Sequence, residues 1–372
     1  MKIGILTFHY MINQGSILQA YCVFKLLQER FPNSEIEIID LIPKNRGNGE
    51  KKFFKKSVPF IRFDYLARFI SMRKFLKNRV KFSPNCDSMD LGSQIAFINE
   101  QNYDIVFTGS DTVWMDSEKL NHILPHIYYL PKGIKTKKNA VAASLDPLKD
   151  ESRFFHKRIE LSENLSEFDN ILVRDNITFE LINSIIPNKA RQISDPTILY
   201  SFEENLNIRK NKEGVKGKIR IHISFGEKSV KEKIKELLIS ENTFEIIDFV
   251  EKSNVFSGDH IVDYLNEYAD IDILITDRFH RSIFALKLSS ALIINVEHFK
   301  KNPLPKSKGR DLFSKLGCPE YCIRYEENGE SDLINSIKNL INNWDQDRFL
   351  NREHRLKQFI SENQMFWQKV DF

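Results

Sequence analysis

The chain has 372 residues, a length that favours two domains, each able to bury its own core. With 41% hydrophobic and 28% charged residues it has the make-up of a soluble globular protein, which excludes wholesale disorder. No apolar run reaches the ~18 residues of a membrane-spanning helix, and the start lacks the apolar region and cleavage site of a secretory signal, so a cytoplasmic protein is expected.

A net charge of +4 conceals an uneven distribution. Residues 44–81 carry thirteen Lys and Arg against Glu50 and Asp64, a local +11, which leaves −7 for the remainder. The four cysteines, Cys22, Cys86, Cys318 and Cys322, suit a reducing compartment. Cys318 and Cys322 lack a second ligand pair, so no metal is expected there.

In chain order, residues 2–8 read as a buried strand, 8–15 as a loop, and Ser16 as the cap of a helix through Ile17, Leu18, Ala20, Tyr21, Phe24 and Leu27. A second strand at 35–41 makes the opening a βαβ unit and implies a parallel sheet. Gly15 at the helix start is a weak ligand signal, and His9 reads as a packed loop residue within reach of that start. The basic stretch follows. Pro59 breaks it, leaving a helix over about 62–78 in which Phe69, Ile70, Phe75 and Leu76 alternate with Lys and Arg. Two readings stand for it: an element drawn peripherally to an anionic membrane surface, or a helical insertion that packs its apolar face and leaves its charges solvated. No nucleic-acid motif accompanies it.

Residues 91–99 read as a helix and 104–108 as a strand running into Gly109-Ser110-Asp111, which places a hydroxyl and a carboxylate at a strand end. A strand is expected at 140–144, a helix at 150–165, and a strand at 171–173 ending in Arg174-Asp175. Asp195-Pro196-Thr197 reads as a turn and 203–218 as the inter-domain linker. The second domain opens with a strand at 218–225, a helix at 230–239, a strand at 244–249 and a short helix at 259–268.

Then comes the stretch richest in chemistry. An apolar run, 271–275, leads into Thr276-Asp277-Arg278-Phe279-His280 and a helix marked by Ile283, Phe284 and Leu286. A strand-to-helix junction presents backbone N–H groups and the positive end of a helix dipole. Arg278 can fork onto a carboxylate or phosphate, and His280 can move a proton near neutral pH. The alternative is a structural Asp277–Arg278 pair beside a packed histidine. A strand follows at 291–296, then a basic loop at 306–310 with Lys308 and Arg310. Helices are expected at 311–316, 331–344 and 345–367. Asp111, Arg174 and the Arg278/His280 pair occupy equivalent strand-end positions, which suggests a shared cleft.

These landmarks together resemble the polysaccharide pyruvyl transferase family. The matching pieces are Asn13-Gln14-Gly15-Ser16-Ile17-Leu18-Gln19-Ala20-Tyr21, Gly109-Ser110-Asp111-Thr112-Val113-Trp114, Val173-Arg174-Asp175, Asp195-Pro196-Thr197 and Thr276-Asp277-Arg278-Phe279-His280, spread from the start to about residue 320. Thr112 and Met115 replace the commoner Gln and Asn, Arg281 stands where a Gly is usual, and Ala143-Ser144-Leu145-Asp146 lacks the usual aromatic and glycine.

The resemblance implies an α/β, GT-B-like fold: two Rossmann-like domains facing across a cleft, with a C-terminal helix crossing back. The implied bounds are 1–203 on the acceptor side with a basic insertion at 44–90, 218–344 on the donor side, and 345–372 packing on the first domain. It implies transfer of a pyruvyl group from phosphoenolpyruvate, the co-substrate, to sugar hydroxyls of a polysaccharide or lipid-linked oligosaccharide, with phosphate released and no cofactor or metal. His280 is then the expected general acid, Asp111 the group that orients or deprotonates the acceptor, and Arg278 and Arg174 the donor grip with Lys308 and Arg310. His9, Asn13, Gly15, Ser110 and Asp111 line the acceptor side. A GT-B glycosyltransferase using a nucleotide sugar shares the fold, and a non-catalytic scaffold for polysaccharide assembly is the other alternative.

Overall fold

A computed structural model describes residues 1–42, 63–116, 124–145, 151–210, 219–225, 228–239, 244–248, 259–298, 307–325 and 330–372. The chain divides into two compact units. Unit 1 comprises Met1–Tyr200, Val255–His260 and Met365–Phe372; unit 2 comprises Ser201–Asn254 and Ile261–Gln364. The boundary falls just before the expected linker, because Phe202 packs on Phe284 and Glu203 pairs with Lys287, both residues of unit 2.

Unit 1 holds a six-stranded sheet of β1 (Lys2–Leu6), β2 (Glu35–Ile38), β3 (Ile105–Thr108), β4 (Lys137–Ala143), β5 (Phe168–Val173) and β6 (Ala190–Gln192), in the order β2-β1-β3-β4-β5-β6. Every pairing is parallel. Strands covered on both faces read as near-continuous apolar runs, which is why β1 and β3 are legible in the sequence. Gly4 lies close under Ile39 and the Tyr103 ring, where a β-carbon would come within 3.0 Å of both. Trp114, fully buried, stacks on Tyr129 at 5.5 Å between ring centres and donates to the Tyr128 carbonyl.

Unit 2 holds a five-stranded parallel sheet of β7 (Ile219–Ser224), β8 (Phe244–Asp248), β9 (Ile273–Thr276), β10 (Leu292–His298) and β11 (Cys322–Tyr325), in the order β11-β10-β9-β7-β8. In each sheet the chain reverses direction once. The reversal lies between β1 and β3 in the first and between β7 and β9 in the second. Loops leaving the carboxyl ends of the strands diverge at such a point and open a crevice, the usual ligand position of open α/β sheets.

Several boundaries differ from the sequence-based expectation. Asn13, not Ser16, caps the helix Gln14–Arg30, its side-chain oxygen accepting from the amides of Gly15 and Ser16. The expected helix over 150–165 is two, Glu151–His156 and Arg158–Ser166. Asp195-Pro196-Thr197 is a helix start rather than a free turn: Asp195 caps Pro196–Leu199, with proline at a position where its missing N–H has no role. The expected basic loop is the first turn of the helix Lys308–Lys315. Residues 306 and 146 lie outside the described residues, as does the whole of 44–62.

The helix Phe63–Lys77 turns Met72, Phe75 and Leu76 inward, and Phe75 packs on Tyr21 at 5.6 Å between ring centres. Arg73 pairs with buried Asp40, and Lys74 and Lys77 remain exposed. Met72, Phe75 and Leu76 are thus packed within the helix's own unit, while Ile70 is 56% exposed. Among the described residues no helix is long and apolar enough to cross a membrane. Cys22, Cys86, Cys318 and Cys322 are all free and buried, and burial pushes the Cys318 thiol up to about 12.

Candidate functional site

In unit 1 the β1/β3 reversal is flanked by the start of the helix Gln14–Arg30 and by the turn after β3. Gly109 opens that turn at a φ of 111°, where a β-carbon would overlap the Val141 carbonyl oxygen. The Gly109–Ser110 peptide is cis, and Asp111 follows at a φ of 82°, a left-handed conformation rare for a side chain other than glycine. The backbone there is held from β4: Ser144 donates its amide to the Asp111 carbonyl at 3.0 Å. The Asp111 carboxylate receives the Ser16 hydroxyl on Oδ2 at 2.5 Å and the Thr112 amide on Oδ1 at 2.7 Å.

Behind Asp111 lies a buried charge. The Arg174 side chain is only 3% exposed and its Nη1 donates to Asp195 Oδ2 at 2.8 Å. Burial works against its charge, and Asp195, Asp111 and Asp175 together hold its pKa above the ordinary value. Each of the other two aspartates is anchored as well. Asp195 accepts from Gln19 Nε2 at 2.8 Å and from the Thr197 amide at 2.9 Å. Asp175 caps the helix Asn176–Ile185 through Thr178 and accepts the Ser144 hydroxyl at 2.6 Å.

In unit 2 the reversal between β7 and β9 is closed by Thr276, whose hydroxyl donates to the Ser224 carbonyl at 2.9 Å and accepts the Arg278 amide at 3.0 Å. Arg278 then takes the cap position of the helix Phe279–Leu288 in extended conformation, with no side-chain bond closing that end. Its side chain is 58% exposed and touches Asp277 at 3.3 Å. His280 sits in the first turn, half-buried, stacked on Phe284 at 6.2 Å and edge-on to Phe279. Phe284 in turn packs on Tyr264, Tyr268 and Phe202, so the imidazole rests on a fixed aromatic floor. The far end of this helix is tied by the buried Lys287–Glu203 pair at 3.0 Å. Arg281 lies over Tyr264, its charge favoured by Tyr264, Tyr268, Asp277 and Glu267 although burial opposes it.

With this geometry in place, a family model described as polysaccharide pyruvyl transferase matches residues 13–289. The chain belongs to the polysaccharide pyruvyl transferase family. A search of curated proteins finds no match. Among solved structures, UDP-GlcNAc 2-epimerase from Neisseria meningitidis is similar with a TM-score of 0.51 at 11% identity, each chain 98% covered. The UDP-GlcNAc 2-epimerase of Methanocaldococcus jannaschii gives 0.50 at 16% identity, with 98% of this chain and 99% of that one covered. At such identities the likeness is one of fold, and that fold is GT-B.

Within this pyruvyl transferase the expected site residues separate into two groups. Asp111, Arg278 and His280 stand at the two sheet reversals, and Arg278 offers an open guanidinium. Asn13 is exposed at the first reversal, but its side-chain oxygen caps the helix, and the Gly15 amide is spent on that cap.

Three expectations are corrected, for His9, Ser110 and Arg174. His9 is fully buried, its Nδ1 against the Thr7 carbonyl and its Nε2 on Asp40 at 2.8 Å, so it braces the loop instead of meeting an acceptor. Ser110 is also fully buried, its carbonyl accepting the Thr7 hydroxyl. Arg174 is a buried partner of aspartates and not an open donor grip. Lys308 and Arg310 lie in the first turn of a helix capped by Ser307, the Arg310 side chain exposed and its backbone donating to Glu297, which burial pushes up. Gly309 allows that approach, since a β-carbon would come within 2.6 Å of Asn295 Oδ1.

The residues that sequence reasoning missed are Ser16 and Gln19 in their side-chain roles, together with Asp195. The one local signal was Asp-Pro-Thr, whose proline marks a helix start.

Proposed function

We propose that the enzyme transfers the pyruvyl group of phosphoenolpyruvate to sugar hydroxyls of a polysaccharide or its lipid-linked precursor, as a cyclic ketal, with release of phosphate. The observation that carries this reading is the placement of both chemically competent clusters at the two sheet reversals. Unit 2 takes the donor role. Arg278 forks onto a carboxylate or phosphate of phosphoenolpyruvate, aided by the open N-terminal turn of the helix Phe279–Leu288. His280 delivers a proton to the methylene carbon C3, leaving a cationic centre at C2.

Unit 1 takes the acceptor role, with Asp111 receiving the proton of the first sugar hydroxyl as its oxygen bonds to C2. The second hydroxyl then replaces phosphate at C2, and its proton leaves with the phosphate. One hydroxyl proton is thus balanced by the new methyl hydrogen and the other by the departing phosphate. Arg174 acts through Asp111 and Asp195 and does not touch the donor. The charges of the helix Phe63–Lys77 support electrostatic contact with an anionic membrane surface, without insertion of its apolar face.

The test is incubation with phosphoenolpyruvate and a panel of galactose-, mannose- and N-acetylmannosamine-type acceptors. Inorganic phosphate is followed together with the product mass. Acceptor-dependent phosphate release with a matching ketal is expected, and Arg278→Ala and His280→Ala should each lower turnover by at least about 100-fold. Phosphate release that ignores the acceptor, or variants with undiminished turnover, would refute the assignment. Turnover of a nucleotide sugar in place of phosphoenolpyruvate would move the enzyme to the glycosyltransferases.

A further inference from the structure

We infer that Ser16 is a positioning residue of the transfer reaction, its hydroxyl holding the Asp111 carboxylate in the orientation that receives the acceptor proton. The inference rests on the proposed role of Asp111 and adds the residue that makes that role workable.

The bond joins the two elements that flank the β1/β3 reversal. Ser16 lies in the first turn of the helix after β1, and Asp111 in the turn after β3, 95 positions away. It is the short contact, 2.5 Å, expected of a hydroxyl donating to a charged carboxylate. Both partners are at least nine-tenths buried, Ser16 at 3% and Asp111 at 8% exposure, so water competes weakly for either. Ser16 has little freedom to move, because its own amide is tied to the Asn13 cap.

Asp111 needs an outside hold. Its backbone is in a left-handed conformation, and its Oδ1 is engaged by the amide and hydroxyl of the adjacent Thr112, whereas the Ser16 hydroxyl holds Oδ2 from a separate element. A carboxylate has about four acceptor positions. The Thr112 amide and, more distantly, its hydroxyl meet Oδ1, and the Ser16 hydroxyl meets Oδ2. A hydroxyl also serves both protonation states. It donates to the carboxylate and, once Asp111 carries the proton, turns to accept. An alanine at position 16 does neither.

The experiment compares wild type, Ser16→Ala, Asp111→Asn and the double variant. Each is measured for kcat, for KM of phosphoenolpyruvate, for the pH profile of kcat/KM for the acceptor, and for Tm. Ser16→Ala should lower kcat about 10- to 100-fold and leave KM for phosphoenolpyruvate within about twofold. Because a hydrogen bond to the charged form favours it, losing that bond should move the acid limb of the profile to higher pH. In the Asp111→Asn background the same substitution should add less than about twofold, since its partner is gone. Ser16→Thr, which keeps the hydroxyl, should recover most of the loss.

An undiminished kcat in Ser16→Ala, a full effect persisting in the Asp111→Asn background, or outright unfolding would overturn the role of Ser16 while leaving Asp111 in place. An Asp111→Asn enzyme as fast as wild type would instead remove the base itself, and the inference with it.

Discussion

Arg174→Met is the substitution that separates a buried electrostatic pivot from an open substrate grip. The guanidinium donates to Asp195 at 2.8 Å and is held charged by Asp195, Asp111 and Asp175 despite its burial. Methionine fills much of the volume and removes the charge, so Asp195 Oδ2 loses its guanidinium donor and keeps the Gln19 bond, and Asp111 and Asp175 lose a neighbouring positive charge. Breaking one side of a buried pair typically destabilises by about 3–5 kcal/mol. For a unit of this size each kcal/mol corresponds to about 2–4 °C in Tm, so the transition of unit 1 should fall by about 10 °C. Differential scanning calorimetry is the assay, with the unit 2 transition as internal reference because the two units need not unfold together. Arg174→Lys keeps the charge, loses the planar fork and should fall by less. An unchanged Tm together with a KM for phosphoenolpyruvate raised about tenfold or more would refute the reasoning and return Arg174 to the donor.

Two further outcomes follow from the acid–base and surface features. Burial opposes ionisation of Asp40, but the His9 bond and Arg73 bring its pKa down to about 2. A carboxyl lowered on folding contributes stability in full above its unfolded pKa near 4, and that contribution fades as pH falls towards 2. The fall of nearly two units corresponds to roughly 2.5 kcal/mol at neutral pH. Urea denaturation should therefore show wild type more stable than Asp40→Asn at pH 7 and the gap closing between about pH 4 and 2; a gap independent of pH would contradict this. For the basic helix, exposed Lys74 and Lys77 with inward Phe75 predict binding to phosphatidylserine vesicles at low salt that disappears at about 0.5 M salt and weakens in Lys74→Glu/Lys77→Glu. Binding that survives high salt would point to insertion instead, and no binding at low salt would remove the membrane contact.

Much of the architecture was legible because both sheets are parallel and buried on both faces. Strands such as Ile-Leu-Ile-Thr of β9 or Ile-Val-Phe-Thr of β3 then stand out as apolar runs without any partner in view. The two strands that escaped are sheet-edge strands. Ala190–Gln192 is three residues long with only its first residue buried, and Cys322–Tyr325 follows a 3-10 turn behind Pro319, with its two central residues half-buried. Neither carries a hydrophobic pattern that competes with a loop reading. Asn13 was passed over as a cap because Ser16 is an equally good cap type three positions on; the choice is made by Asp111, which draws the Ser16 hydroxyl away from the helix end.

The candidate site residues divide along the same physical line. Asp111, Arg278 and His280 could be singled out as candidates because each follows closely on a legible buried strand. Their supports were not found, because each is remote in sequence: Ser16 reaches Asp111 across 95 positions and Gln19 reaches Asp195 across 176. What turns a rim residue into a site residue is the reversal of strand order, which depends on β3 choosing β1 as its neighbour and β9 choosing β7. Those choices are made by packing across the sheet faces and leave no local trace. Arg174 shows the consequence. It follows β5, two strands along from β3, and its side chain is only 3% exposed, paired with Asp195 and within electrostatic reach of Asp111. The same Arg-after-strand pattern that leaves Arg278 exposed at the reversal of unit 2 therefore makes Arg174 a buried anchor, and strand order is the variable that distinguishes them.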